Sequence, residues 1–271
     1  MSQNTTALLP HTTRLRSIPG ALLMVLLVSG PLRAQTGSEL PALLPPPADG
    51  TFELIVLGGW GSFSQQPVND LIRSDNILLT MPTDQGGAGL EKGLDQLTDS
   101  PTWGAEVRWR VHPRWSAVAG FQHLGARTEL SFAYDPGTGP VDAWLEYETG
   151  AFPVWVGALY STRLSERFTY AVGLSAVYIP ASTLQMGGYL GGITIDQEGT
   201  ASGLGALLTW EGGMALRDRI GLIASVRLRL ARIGDPEDDS GTILNNPYSG
   251  DPLTLDWSGV DLLLGLRFSL F

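Results

Sequence analysis

A period of two, returning along most of the chain, constrains it more than any other feature. At the C-terminus Val260, Leu262, Leu264, Leu266 and Phe268 share one face, and Asp261, Leu263, Gly265, Arg267 and Ser269 share the other. Residues 104–111 repeat the arrangement, with Ala105, Val107, Trp109 and Val111 against Gly104, Glu106, Arg108 and Arg110. Residues 220–230 do so again, with Leu222, Ala224, Val226, Leu228 and Leu230 against Gly221, Ile223, Ser225, Arg227 and Arg229. A helix turns every 3.6 residues and would scatter these charges and glycines around its surface, whereas a strand alternates faces and keeps them together.

Carried along the chain, the same reading predicts eight strands, near 52–64, 103–111, 115–132, 143–161, 168–179, 201–216, 220–232 and 254–270. The phase within 143–161 is open, because Pro153 signals a bulge or a break. The connections alternate. Those at 112–114, 162–167 and 217–219 are short, and those at 65–102, 133–142, 180–200 and 233–253 are long. Tight turns at one end and longer loops at the other are the signature of an up-and-down membrane barrel. A soluble sandwich has no reason to sort its loops this way. The expectation is an all-β, eight-stranded antiparallel up-and-down transmembrane β-barrel over residues 51–271.

Aromatic residues fit two interfacial girdles, where amphipathic rings are favoured. Trp109, Trp115, Phe168, Tyr170, Phe268 and Phe271 lie toward the short turns, and Trp60, Trp103, Phe132, Trp144, Tyr178 and Trp257 toward the opposite strand ends. Aromatics packed in a soluble core are the rival reading.

The N-terminus is what such a barrel needs for export. Arg14 and Arg16 precede an apolar run, Ala21–Val28, and Pro31-Leu32-Arg33-Ala34 offers a cleavage site, so residues 1–34 read as a Sec signal peptide. The apolar run falls short of the 20 or so residues of a membrane-spanning helix, and an uncleaved anchor is the alternative. Residues 35–50, with Pro45-Pro46-Pro47, read as a flexible periplasmic linker.

The leader, the eight alternating strands and the ending Asp256-Trp257-Ser258-Gly259-Val260-Asp261-Leu262-Leu263-Leu264-Gly265-Leu266-Arg267-Phe268-Ser269-Leu270-Phe271 resemble small outer-membrane β-barrel proteins. These are the OmpA/OmpX type and the barrel domains of Bacteroidetes-like bacteria. The resemblance implies residence in a Gram-negative outer membrane and contact with its lipid and lipopolysaccharide. It also implies recognition of the last strand by the barrel-insertion machinery, which in that family reads a terminal aromatic. Here Phe268 is in phase with the outward face and Phe271 is one residue out. A monomer is the expected state.

Composition narrows the chemistry. There is no cysteine, hence no disulfide, thiolate metal site or cysteine nucleophile, and the three histidines are His11, His112 and His123. A net charge of −10 leaves no basic face for nucleic acid, and losing the leader would remove arginines and no acid. No serine or acid stands at a telling spacing from His123, which reads as a wall residue, and Gly58-Gly59-Trp60-Gly61 lacks the lysine and helix of a phosphate loop. No catalytic residues and no cofactor are expected.

On the assigned phases Glu53, Glu106, Arg108, Arg110, Glu211, Arg227, Arg229, Asp261 and Arg267 point inward. A barrel of this size is filled by side chains or holds one small ligand, and buried charges must pair. These residues therefore form either a closed ion-pair plug or the lining of a narrow pore. The long loops are acidic, and Asp235, Glu237, Asp238 and Asp239 are a candidate weak cation-binding loop, though their spacing is not that of an EF-hand. The expected role is structural or surface-interacting and non-enzymatic. The rivals are a passive pore or small-ligand barrel, a lipid-A-modifying enzyme, and a soluble lipocalin-like barrel.

Overall fold

The computed structural model describes residues 50–135, 139–190, 193–217 and 219–270. The leader and linker expected at 1–34 and 35–50 lie almost wholly outside them. The described strands are β1 (Phe52–Ser62), β2 (Asp99–His112), β3 (Trp115–Tyr134), β4 (Val141–Ala151), β5 (Val154–Arg163), β6 (Phe168–Leu190), β7 (Ile193–Arg217), β8 (Ile220–Leu230) and β9 (Gly259–Ser269). An α-helix, α1 (Gln66–Thr80), and a short 3-10 turn (Thr83–Gln85) follow β1. All pairings are antiparallel, and β9 pairs back onto β1, so the sheet closes into a ring. β4 and β5 are halves of one wall, since β3 pairs with both in one unbroken register, Leu124 opposite Ala151 and Phe121 opposite Val154. Counted once, they make the ring an eight-stranded up-and-down barrel.

That register resolves the phase of 143–161. Pro153 has no N–H to give, but its carbonyl still accepts from the Gln122 amide at 3.1 Å. Ala143, Leu145, Tyr147, Thr149, Ala151, Trp155 and Leu159 all face inward, so the period passes straight through the interruption.

One of the expected loops is instead almost wholly strand, and another is shorter than expected. β6 and β7 continue to Leu190 and from Ile193, replacing the loop expected at 180–200 with a tall hairpin. The cause is a bulge at Pro180-Ala181, where the register with β7 shifts between Ile179 and Ser182. Ala171, Ser175, Val177 and Ile179 face inward below it, and Ser182, Leu184 and Met186 above it, so alternation read from below fails at 180. The connection expected at 133–142 likewise shrinks, because β3 runs to Tyr134 and β4 starts at Val141. β9 starts at Gly259, not at 254.

The barrel is therefore lopsided. β1, β8 and β9 have 11 residues each, enough to cross a bilayer, whereas β3, β6 and β7 have 20, 23 and 25. Against the inner face of the tall wall pack α1 and the strap 231–258, forming a cap with its own apolar core. Val68, Leu71, Ile72 and Leu79 of α1 join Leu145, Leu184 and Met186 of the wall and Leu253, Leu255 and Trp257 of the strap. The spacing of the α1 residues puts them on one helical stripe. Two asparagines staple the helix to the returning chain. Asn69 donates to the Leu97 carbonyl at 2.9 Å and accepts from its amide at 2.7 Å, and Asn76 makes the same pair with Leu94 at 2.9 and 2.6 Å.

Candidate functional site

The outer surface comes first, because it changes character with height. Near the short turns and through the middle of the wall, the outward positions are apolar. Val56, Val107, Val156, Leu174, Leu204, Leu222, Leu264 and Leu266 are all exposed, Leu204 by 73% and Leu264 by 68%. Among the described residues, none of the outward positions on β1, β5, β8 and β9 is an Asp, Glu, Lys or Arg. Rings bound this belt on both sides. Phe52 stacks on Trp109, and Trp115 meets Tyr160, at the short-turn side. Trp103 stacks on His123 at 5.5 Å and meets Phe121 and Phe152 at the other. His123 is thus a wall residue among aromatics. Above that line the tall wall turns polar outside, with Arg127 and Glu129 on β3, Glu146 and Glu148 on β4, and Asp196 and Glu198 on β7.

Three residues expected in the upper girdle are elsewhere, and one of them, Trp144, pairs with Ser131 above the charged rows of Arg127 and Glu129. Trp257 is fully buried within the cap core, its Nε1 donating to the Ser182 hydroxyl at 2.7 Å and its ring 4.9 Å from that of Phe63. Phe132 faces inward and packs against the cap core. Phe271 lies outside the described residues, but the ladder persists to Leu270, whose amide donates to the Phe52 carbonyl at 2.8 Å.

Inside, polarity is reversed. Alternation carries Glu53, Glu106, Arg108, Arg110, Glu211, Arg227, Arg229, Asp261 and Arg267 into the lumen, where seven of them are buried and Arg110 and Arg267 partly so. Arg108 is the hub. Its two terminal nitrogens donate to the two carboxylate oxygens of Glu211 at 2.7 and 2.6 Å, and its Nε donates to Glu106 at 2.5 Å. Glu106 also accepts from Arg227 at 3.0 Å and from the Trp155 indole at 3.2 Å, and the Arg227 guanidinium lies 4.9 Å from the Trp155 ring centre. This group links β2, β5, β7 and β8 across the lumen. The planar fork of arginine matches a carboxylate in a way no ammonium does.

Two further pairs flank it. Toward the cap, Arg229 donates to Asp261 at 2.6 Å and to the Trp257 and Ser62 carbonyls at 2.5 and 3.1 Å, so it braces the cap's underside. Toward the short turns, Arg110 donates to Glu53 at 3.2 Å. Arg267 forms no ion pair among the described residues. It lies over Gly221, where any Cβ would stand 3.0 Å from its Nη2. Between the polar layers, Ile55, Leu57, Ile223 and Leu263 form a small apolar cluster. Gly59 lets β9 pass, since a Cβ there would stand 2.0 Å from the Leu262 carbonyl oxygen.

The acidic loop does not gather. Asp235 accepts from the Thr254 hydroxyl at 2.6 Å, and Asp238 caps its own turn by accepting from Ser240 and Thr242. Those bonds hold the Asp238 carboxyl below its ordinary pKa. Glu237 pairs through its backbone with Thr200, and no metal-holding group forms among the described residues. His112 accepts from the Arg114 amide at 3.4 Å, within its short turn.

Sequence reasoning missed Trp155, hidden by the open phase around Pro153, and a triad in the cap. There the hydroxyls of Tyr147 and Tyr248 both donate to Asp75 of α1, tying wall, strap and helix together. Desolvation first, and the Asp75 carboxylate second, push the Tyr248 hydroxyl pKa up.

No family model matches the chain, and no curated protein is similar to it in sequence. Among solved structures it is similar to Ail, the attachment invasion locus protein of Yersinia pestis, solved with the heparin analogue sucrose octasulfate, at 12% identity and a TM-score of 0.37 over 82% of this chain and 100% of that one. It is similar also to Neisserial surface protein A, at 13% identity and a TM-score of 0.40 over 81% and 97% of the two chains.

Proposed function

We propose that the chain is a non-enzymatic integral protein of a Gram-negative outer membrane. Its barrel stabilises the envelope and carries a folded cap at the cell surface, and its lumen is closed by charge pairs. The observation that carries this reading is the inversion of polarity along single strands. On β3, Ala117, Ala119 and Phe121 face out and Gln122 faces in; a few residues higher Arg127 and Glu129 face out and Leu124 and Leu130 face in. Only a change of solvent along the strand makes both halves favourable, lipid around the first and water around the second. The apolar belt has the height of a strand of 11 residues, matching the span of a bilayer core. Residues 1–34 then serve as the Sec leader and 35–50 as a periplasmic linker. Lipopolysaccharide surrounds the belt, and the last strand meets the insertion machinery.

Fractionation of expressing cells tests this, combined with surface labelling of single cysteines at Asp239 in the cap and Glu166 in a short turn. The protein is expected in the outer-membrane fraction, with Asp239 reachable on intact cells and Glu166 shielded until the envelope is opened. Recovery in the soluble periplasm sinks the membrane reading, and labelling at Glu166 alone reverses the orientation.

A further inference from the structure

The outer face of the tall hairpin, above the apolar belt, holds a shallow hollow of about 240 Å³ lined by Trp144, Glu146, Gln185, Gly187, Asp196 and Glu198. Its floor is Gly187. Pairing places Glu146 of β4 and Asp196 of β7 directly on either side of that glycine. One row lower, Glu148 and Glu198 flank Gln185. The Trp144 ring leans over the floor, so that a Cβ on Gly187 would stand 3.0 Å from it. The absent side chain is what lets the indole lie there, and 42% of Trp144 remains exposed. The exposed face of the indole is therefore open to a group arriving from solvent.

Charge decides what would cover it. Glu146 is shared with Arg127, at 2.9 Å, but Asp196 and Glu198 have no ion-pair partner among the described residues. The hollow thus combines an open π face with excess negative charge. A cation over an indole is attracted by the ring quadrupole, and adjacent carboxylates strengthen the attraction. Neighbouring strands lie about 4.8 Å apart, so carboxylates on either side of Gly187 bracket a space the size of a guanidinium. Anionic headgroups and sulfated sugars are repelled by the same set.

We propose that this hollow is a binding site for cationic side chains, chiefly arginine, presented by a basic polypeptide at the cell surface. Trp144 is the stacking platform, and Asp196, Glu198 and Glu146 are the counter-charges. The role deepens the surface-contact reading above, and it is testable on purified protein, so failure of the membrane placement would appear in fractionation and not in binding.

The test is calorimetric titration of the detergent-solubilised protein with tetra-arginine, alongside tetra-glutamine and a neutral maltohexaose. Tetra-arginine is expected to bind and the two neutral probes not to. Trp144→Ala should weaken binding roughly threefold to tenfold, the range of a partly desolvated cation–π contact. Asp196→Asn with Glu198→Gln should weaken it further and flatten its salt dependence. A charge-matched control, Asp239→Asn with Asp251→Asn, should leave it unchanged. Retained heat-modifiable gel mobility shows that each variant is still a folded barrel. Equal binding by the Trp144→Ala variant, equal loss in the control, or binding of maltohexaose in place of tetra-arginine overturns the proposal.

Discussion

Arg108 is where a single residue matters most. Its guanidinium satisfies two carboxylates at once, and both it and Glu211 are buried. Arg108→Ala leaves those acids buried without their partner, and breaking such a pair typically costs about 3–5 kcal/mol. Urea unfolding of the protein refolded into lipid vesicles should show that loss, and a midpoint within error of the parent would mean that water replaces the arginine. Arg267→Leu should cost much less, because Arg267 holds no carboxylate among the described residues. The inward placement of these nine residues follows from alternation, since strand phase alone sends every second side chain into the lumen. Who pairs with whom does not follow. Glu211 and Arg108 stand 103 positions apart, and only closure of the ring brings their strands face to face. Arg227 shows the limit more sharply. Its ring partner Trp155 belongs to the segment whose phase Pro153 obscured, and its Nε and Nη1 find no acceptor among the described residues.

At the scale of the element, β9 and α1 make contrasting predictions. Leu264 faces outward at the centre of β9, 68% exposed. Leu264→Arg puts a charge at mid-belt, at a cost of about 2–4 kcal/mol if lipid surrounds it. Folding efficiency into vesicles should fall, and an unaffected yield would mean that water bathes this face. α1 predicts the opposite kind of defect. Asn69 satisfies both backbone groups of Leu97, so Asn69→Ala should loosen the helix from the returning chain while leaving the barrel intact. Hydrogen exchange should rise over 66–97 and stay unchanged in β8 and β9; a rise throughout would show that cap and barrel unfold together. β9 was legible because its alternation is unbroken. α1 was not, because its apolar residues sit in a polar stretch with no side-chain cap at its start. The tall β6–β7 hairpin was hidden by one extra residue, which swaps the faces and makes a continuing strand look like its end.

For the whole molecule, the question is whether anything passes through it. On the proposed reading, two closures lie in series. One is the charge layer, where Arg108, Glu106, Glu211 and Arg227 span the lumen; the other is the cap core, with Trp257 fully buried above it and Arg229 joining the two through the Trp257 carbonyl. An eight-stranded ring has little room beyond what its side chains fill. The wild-type protein is therefore expected to give no steady single-channel current in a planar bilayer. Because the closures are in series, Arg108→Ala alone should also remain silent while losing stability, since the cap still covers the lumen. Replacing 66–95 with a short Gly-Ser linker should likewise be silent, since the charge layer remains. Only the two changes together should admit ions. A steady wild-type current that shifts in Arg108→Ala, with an unchanged unfolding midpoint, would establish a wet conduit in place of the plug. Current from the linker variant alone would instead place the barrier in the cap and reduce the charge layer to a wall lining.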